Sequence, residues 1–440
     1  MSAGSQLKLN IPKTMLIGLG FLAVSMAWSV YAAYVPLILT DEFKLDSLTV
    51  GVIMTIDNIF AVLFQPLFGR LSDKTKTKWG RRMPYVLICA PICAMLFAVI
   101  PHMRMIVTFM LTVISFNLLM SAWRSPVVAL MPDVTPSPLR SQGNGIINLM
   151  GGIGSALAML LGGVLANIGG MQLPFLCVSA FMIGVVITMF FTVKEPQLVA
   201  IAAKHNEELL AREKKEGLVS DAASSSDTPK QKIGGRKLVS LISMLFTVFF
   251  CFCGFNVLES YFTLYATRTF PQLSAGDASI MLGIFAASFL ITAVPAGFAA
   301  AKWGRKRCIV CGLIVDIVCF TIMFLTKNLY VLYPLIVIGG LAWSFSNTNT
   351  LPMVVDMTDS GSVGRFTGYY YSFSQAASVL SPILFGFLLR ITDNNYDIMF
   401  LYAGIALTMA LISVSFVHHG DVKKASGKVS ASDILSNLDD

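Results

Sequence analysis

Apolar residues in this chain run in blocks of about twenty, separated by short polar stretches. Neither the spacing of a half-buried surface helix nor the alternation of a strand describes them. A helix rises about 1.5 Å per residue, so each block is long enough to cross the hydrocarbon core of a bilayer. The blocks fall at 14–40, 48–70, 84–102, 105–131, 141–168 and 173–193, then at 238–266, 276–300, 308–326, 330–353, 366–389 and 398–418. The pattern predicts an all-α polytopic membrane protein with twelve transmembrane helices. The first block is too long and too aromatic for a cleaved signal peptide. The expected organisation is a six-helix bundle over 1–193, a linker over 194–237, a second bundle over 238–418 and a tail over 419–440. Within the linker, 207–216 predicts a short surface helix and 222–227 a flexible tether, with phosphorylation of Ser224, Ser225 or Ser226 as the regulatory alternative.

Composition agrees. Of 440 residues, 55% are apolar and 13% charged, against about 25% charged in a soluble domain. That excludes a soluble enzyme, a disordered chain and a fibrous repeat. With both termini inside, the short inner segments carry 17 Lys and Arg and the outer loops 5, which orients the chain by the positive-inside rule. The net charge of +8 is then an inner-face bias and calls for no nucleic-acid partner. All eight cysteines lie in apolar stretches. Cys308-x-x-Cys311 has no nearby His or second pair, so it reads as buried small residues, with no disulfide or metal site expected.

The chain repeats itself. Lys78-Trp79-Gly80-Arg81-Arg82 returns as Lys302-Trp303-Gly304-Arg305-Lys306, 224 residues later. Asp133 pairs with Asp356 at 223, and Arg140-x-x-Gly143 with Arg365-x-x-Gly368 at 225. A duplicated six-span unit follows, with a binding site at the interface of the halves near the midplane. Gly69 lets helices approach closely, Asp73 pairs at a helix end, and Arg81 and Arg82 grip carboxylates or helix C-termini. A topogenic positive patch is the simpler reading.

The stretch from Gln65 through Gly69-Arg70-Leu71-Ser72-Asp73 and Trp79-Gly80-Arg81-Arg82 to Pro84-Tyr85 resembles a loop of major facilitator superfamily carriers. It is most similar to the sugar carriers of the glycoside–pentoside–hexuronide and sucrose-transporter groups. The resemblance implies two six-helix pseudo-repeats, alternating access and a sugar substrate. It also implies a cytoplasmic gate of Gly69, Asp73, Arg81, Arg82, Asp133 and Arg140, with Asp356 and Arg365 in the second half, which stabilises the outward-open state. In the sucrose-carrier group an Arg on the fourth helix lies five residues before the terminal Asp. Here Val128 holds that position and Arg124 lies one helical turn away. Melibiose-type sodium carriers place two acids where this chain has Ala61 and Gln65, so a proton is favoured over sodium.

Subtracting loops leaves Arg124, Asp57, Glu259 and Asp316 at depth, each costing on the order of 3 kcal/mol to insert. A mid-bilayer Asp57 close to Arg124 is a proton-coupling device if sugar hydroxyls compete for the guanidinium; otherwise the two form a static salt bridge. Glu259 is a second proton relay, a sugar ligand, or the stabiliser of a broken helix. Asp316 reads as a packing pair with a neighbour. Sugars need polar groups beside flat aromatic faces. The candidates are Trp28, Tyr31, Asn117, Arg124, Asn144 and Asn148 in the first half, and Asn347, Asn349, Tyr371 and Gln375 in the second.

The expectation is a monomeric, proton-coupled importer of a disaccharide or related glycoside in the cell membrane, with no cofactor, no metal and both termini cytoplasmic. The alternatives are a facilitator or exporter of small molecules and a non-transporting membrane sensor. No nucleophile–base set, metal cluster or phosphate loop points to an enzyme.

Overall fold

Lipid offers the backbone no hydrogen bonds, so a spanning segment must satisfy its own amides, and each apolar block becomes a helix. A computed structural model describes residues 9–215, 235–357 and 363–421. The first half holds α1 (Ile11–Asp41), α2 (Ser47–Met54), α3 (Ile56–Lys74), α4 (Met83–Val99), α5 (Ile106–Val134), α6 (Arg140–Gly169), α7 (Gln172–Thr192) and α8 (Glu195–Lys215). The second holds α9 (Gly235–Thr269), α10 (Ala275–Trp303), α11 (Arg305–Leu325), α12 (Leu329–Asp356), α13 (Val363–Ile391) and α14 (Ile398–Ser415). With α2 and α3 counted as one, twelve are long and apolar enough to cross a membrane among the described residues. Their outward faces carry large apolar groups such as Phe191, Ile291 and Leu325, each more than 70% exposed. That surface suits a lipid solvent and no aqueous one.

Two expectations change on the structure, and others fall outside the described residues. The helix expected at 207–216 belongs to a longer one, α8, which begins at Glu195, runs to Lys215 and packs on α5, so the first part of the expected linker is docked on the bundle. The Ser224–Ser226 proposal and the tail beyond 421 lie outside the described residues, as does the side chain of Arg365. Cys311 is exposed while Cys308 is buried, so the pair does not share one environment.

The second span is broken, which its apolar pattern did not announce. Thr55 turns its hydroxyl back onto the Val52 carbonyl at 2.7 Å, ending α2 and starting α3. Asp57 thereby sits in the first turn of a new helix, where unpaired N–H groups and the helix dipole favour acidic side chains.

In the first half α1 packs on α6 and α7, and α5 on α3 and α4; in the second, α9 packs on α13 and α14, and α12 on α10 and α11. The halves meet through α6 on α10, α2 on α13 and α1 on α9.

Candidate functional site

At the end of the molecule bearing the basic loops, charge knits each half internally. Arg81 reaches Asp133 at 2.6 and 3.2 Å. The buried Arg82 bonds Asp133 at 2.8 Å, the Gly69 carbonyl at 3.3 Å, and both Ser72 and Asp73. A side chain at Gly69 would come within 3.1 Å of Ser125 Oγ, so α3 lies close on α5 there. Arg140 donates to the carbonyls of Pro132 and Thr135, closing the end of α5. The second half repeats the pattern with an Arg305–Asp356 ion pair.

Glu195, which sequence reasoning left in the linker, completes this knot. Its carboxylate accepts the backbone N–H of Arg81 (2.9 Å), Arg82 (3.0 Å) and Met83 (2.9 Å), capping α4 from a distant segment. In the second half Asp421 accepts from Arg305 N at 2.6 Å. Gly80 and Gly304, at φ +107° and +99°, place each chain in the left-handed region just before the capped helix. Glu195 and Asp421 are 226 residues apart, which extends the repeat to its caps.

At the opposite, far end, the halves are joined. Asp41 pairs with Arg268. Tyr261 donates to the carbonyl of Ser47 or Pro382, each at 3.1 Å, and Asn167 donates to Asp277 at 2.9 Å. Small residues make the approach: a side chain at Gly163 would collide with the Gly276 carbonyl, and one at Gly283 would come within 2.8 Å of Leu160. The hydrogen bonds described between the halves gather at this end. Toward the basic end the halves part, leaving a cavity of about 830 Å³ between α3 and α13.

Midway lies a polar cavity of about 240 Å³, to which the first half contributes Trp28, Asn58 and Arg124 and the second Asn256, Glu259 and Gln375. Arg124 lies over the Trp28 ring at 4.7 Å from its centroid, a cation–π contact of about 2 kcal/mol when desolvated. Asp57, buried behind Asn58, accepts from the Asn58 backbone N at 2.7 Å and from its Nδ2 at 2.9 Å. Asp57 and Arg124 interact through space without a direct ion pair. The static salt bridge is therefore set aside: the guanidinium is stacked on an indole and the carboxylate is held by an amide.

The other expected residues divide. Gln375 lines both the polar and the larger cavity, and Tyr371 lines the larger one within electrostatic reach of Arg124. Asn144 and Asn148 are exposed, Asn148 bonding back to the Asn144 carbonyl at 3.0 Å. Asn347 lines a separate apolar cavity. Tyr31, Asn117 and Asn349 do not face these spaces. Tyr31 stacks on Phe116 in the core, and both asparagines bond their own helices. Their polarity read as ligand chemistry because a sequence does not tell a helix's cavity face from its packed face. Glu259 sits in the unbroken α9, which removes its broken-helix role. Asp316 is 1% exposed and neither carboxyl oxygen has a hydrogen-bond partner among the described residues, so the expected packing pair is absent. Asn58 and Asn256 were missed; their signal was an amide inside an apolar run.

Two helical halves around a central polar site, joined at one end and parted at the other, define a membrane transporter of small molecules. The sequence matches the family described as MFS/sugar transport protein over residues 16–397, and the chain belongs to that family. It is 23% identical over 400 residues to the class H tetracycline resistance protein of Pasteurella multocida, covering 89% of this chain and 92% of that one. The isoprimeverose transporter of Lactiplantibacillus pentosus is 27% identical over 122 residues, 26% of each chain. Among solved structures, the nucleoside transporter NupG superposes with a TM-score of 0.66 at 15% identity, covering 93% of this chain and 100% of that one.

Proposed function

We propose that the protein carries a sugar across the cell membrane together with protons, by alternating access, with the basic end and both termini in the cytoplasm. The observation that carries this reading is the polar cavity shared by the halves, where Arg124 on Trp28 stands beside Asn58 and the Asp57 carboxylate. An indole face and a fork of N–H donors suit a pyranose ring and its hydroxyls. A sugar that recruits Asn58 loosens its grip on Asp57, so occupancy and protonation are coupled through one amide. Glu259, on the facing wall, is the second proton-carrying group. Ala61 and Gln65, the positions of the sodium-site acids in the resembled carriers, line the space between α3 and α13 without a carboxylate, which favours a proton over sodium. The far-end contacts close the outer face, and the parted basic end is the cytoplasmic opening. Arg81, Arg82, Asp133, Arg140 and their second-half counterparts brace the helices that must meet when that opening closes.

Reconstitution in liposomes with an entrapped pH-sensitive dye and a panel of disaccharides tests this. Sugar-dependent proton entry is expected in the parent and lost in Asp57→Asn, with sugar counterflow retained. Uptake indifferent to the pH gradient would overturn symport. Export of a small molecule is the second reading, favoured by the nearly full-length similarity to tetracycline resistance proteins. Proton-driven expulsion of a preloaded dye with no sugar movement would establish it instead.

A further inference from the structure

The polar cavity adjoins a second space of different chemistry. This one, about 220 Å³, reaches into the second half between α9, α10, α11, α12 and α14. Ser29, Ser155, Phe252, Phe255 and Glu259 line both, so the two adjoin across a shared wall and Glu259 stands at the junction. Beyond the junction the walls are Phe285, Phe289, Phe320, Met323, Trp343 and Phe400. Trp343 lies flat on Phe255, with ring centroids 5.1 Å apart and planes 3° from parallel, forming one broad aromatic wall. A Cβ added at Gly339 would meet only ordinary contacts, 3.6 Å from Phe285 and from Asp316. An apolar void of this size destabilises a bundle, and one of roughly 150 Å³ already takes up benzene.

We propose that this cavity receives the apolar aglycone of a glycoside, whose sugar ring is held in the polar cavity beside Trp28 and Arg124. The inference rests on the sugar reading and narrows it to an amphipathic glycoside. A second sugar suits the deep cavity poorly, because beyond Glu259 only Asn347 offers its many hydroxyls a partner among Phe, Met and Trp walls. A wholly apolar molecule makes no use of the polar cavity. Glu259 at the junction faces the glycosidic linkage and the hydroxyl next to it.

The test is binding to the full chain in lipid nanodiscs, since glucoside and maltoside detergents are themselves apolar glycosides. The probes are paired methyl and para-nitrophenyl glycosides of glucose, galactose and xylose, with para-nitrophenol and tetraphenylphosphonium as sugar-free controls. At least one nitrophenyl glycoside is expected to bind on the order of 10- to 100-fold tighter than its methyl partner. Gly339→Leu and Ala286→Leu, which fill the cavity from two helices, should erase that advantage while leaving the methyl glycoside's affinity at the parent value. That retained affinity also shows that the variants fold. Equal affinities within every pair would overturn the aglycone cavity and leave the sugar reading standing. Binding of a sugar-free control with no glycoside bound would overturn the sugar reading and this proposal together, as would a panel in which nothing binds.

Discussion

Glu195→Ala should unfold the first half at a clearly lower temperature. The parent carboxylate, 1% exposed, accepts three backbone N–H groups at 2.9–3.0 Å from the turn that starts α4. Arg82 at that turn provides no side-chain cap of its own. Removing the acceptor leaves three donors unpaired, each costing about 1–3 kcal/mol when buried. The half-exposed Arg81 lets water satisfy part of this, so the lower end applies, about 3 kcal/mol in total. For a unit the size of one half, that is on the order of 6–12 °C in Tm. Glu195→Gln keeps one acceptor oxygen but turns an amide NH2 toward a backbone donor and loses the charge at a helix N-terminus, so its stability should fall between those of the parent and Glu195→Ala. Asp421→Ala, which removes the acceptor of the Arg305 N–H at an exposed site, should cost about 1 kcal/mol. Thermal unfolding followed by cysteine-reactive dye reports all three, because many of the eight thiols are buried. Parent-like unfolding of Glu195→Ala would refute the cap, and equal losses for Glu195→Ala and Asp421→Ala would refute the weighting by burial.

Trp28→Ala removes the ring beneath Arg124 and should weaken substrate binding about 30-fold, from a contact of about 2 kcal/mol; Trp28→Phe should recover part of it, and equilibrium binding decides. Gly163→Val places atoms against the Gly276 carbonyl and Ile280, so it should hold the far end open and raise maleimide labelling of a cysteine introduced at Ile280; unchanged labelling would count against the gate. The Asp41–Arg268 pair is nearly half exposed on both sides, and a double-mutant cycle on thermal stability should return less than about 1 kcal/mol. Asp316→Val swaps an unpartnered buried carboxyl for an apolar group of similar size and should raise stability by about 1–3 kcal/mol; a fall in Tm would mean the carboxyl is satisfied after all.

The spans were legible because lipid accepts only long apolar helices, and block length alone marks them. Even so, the break at Thr55 was hidden: a local turn of hydroxyl onto carbonyl does not disturb hydropathy. The duplication was legible in the paired basic motifs, yet its caps, Glu195 and Asp421, sit more than a hundred residues from the helix starts they close. Scarcity of charge singled out Asp57, Arg124, Glu259 and Asp316, since each is expensive in lipid. Three of these four gather around the polar cavity, while Asp316 is buried elsewhere.

The sequence by itself determined the solvent, the number of spans, the twofold repeat and the short roster of buried charges. Each depends on composition and spacing along one chain. Only the tertiary structure decided which face of each helix looks into a cavity, that Arg124 stacks on Trp28, that Asn58 stands between the cavity and Asp57, and that an aromatic space adjoins the polar one. Those facts arise where helices distant in sequence cross. The apolar residues that pack a bundle, meet lipid or wall a binding space are chemically the same, and only their neighbours tell them apart.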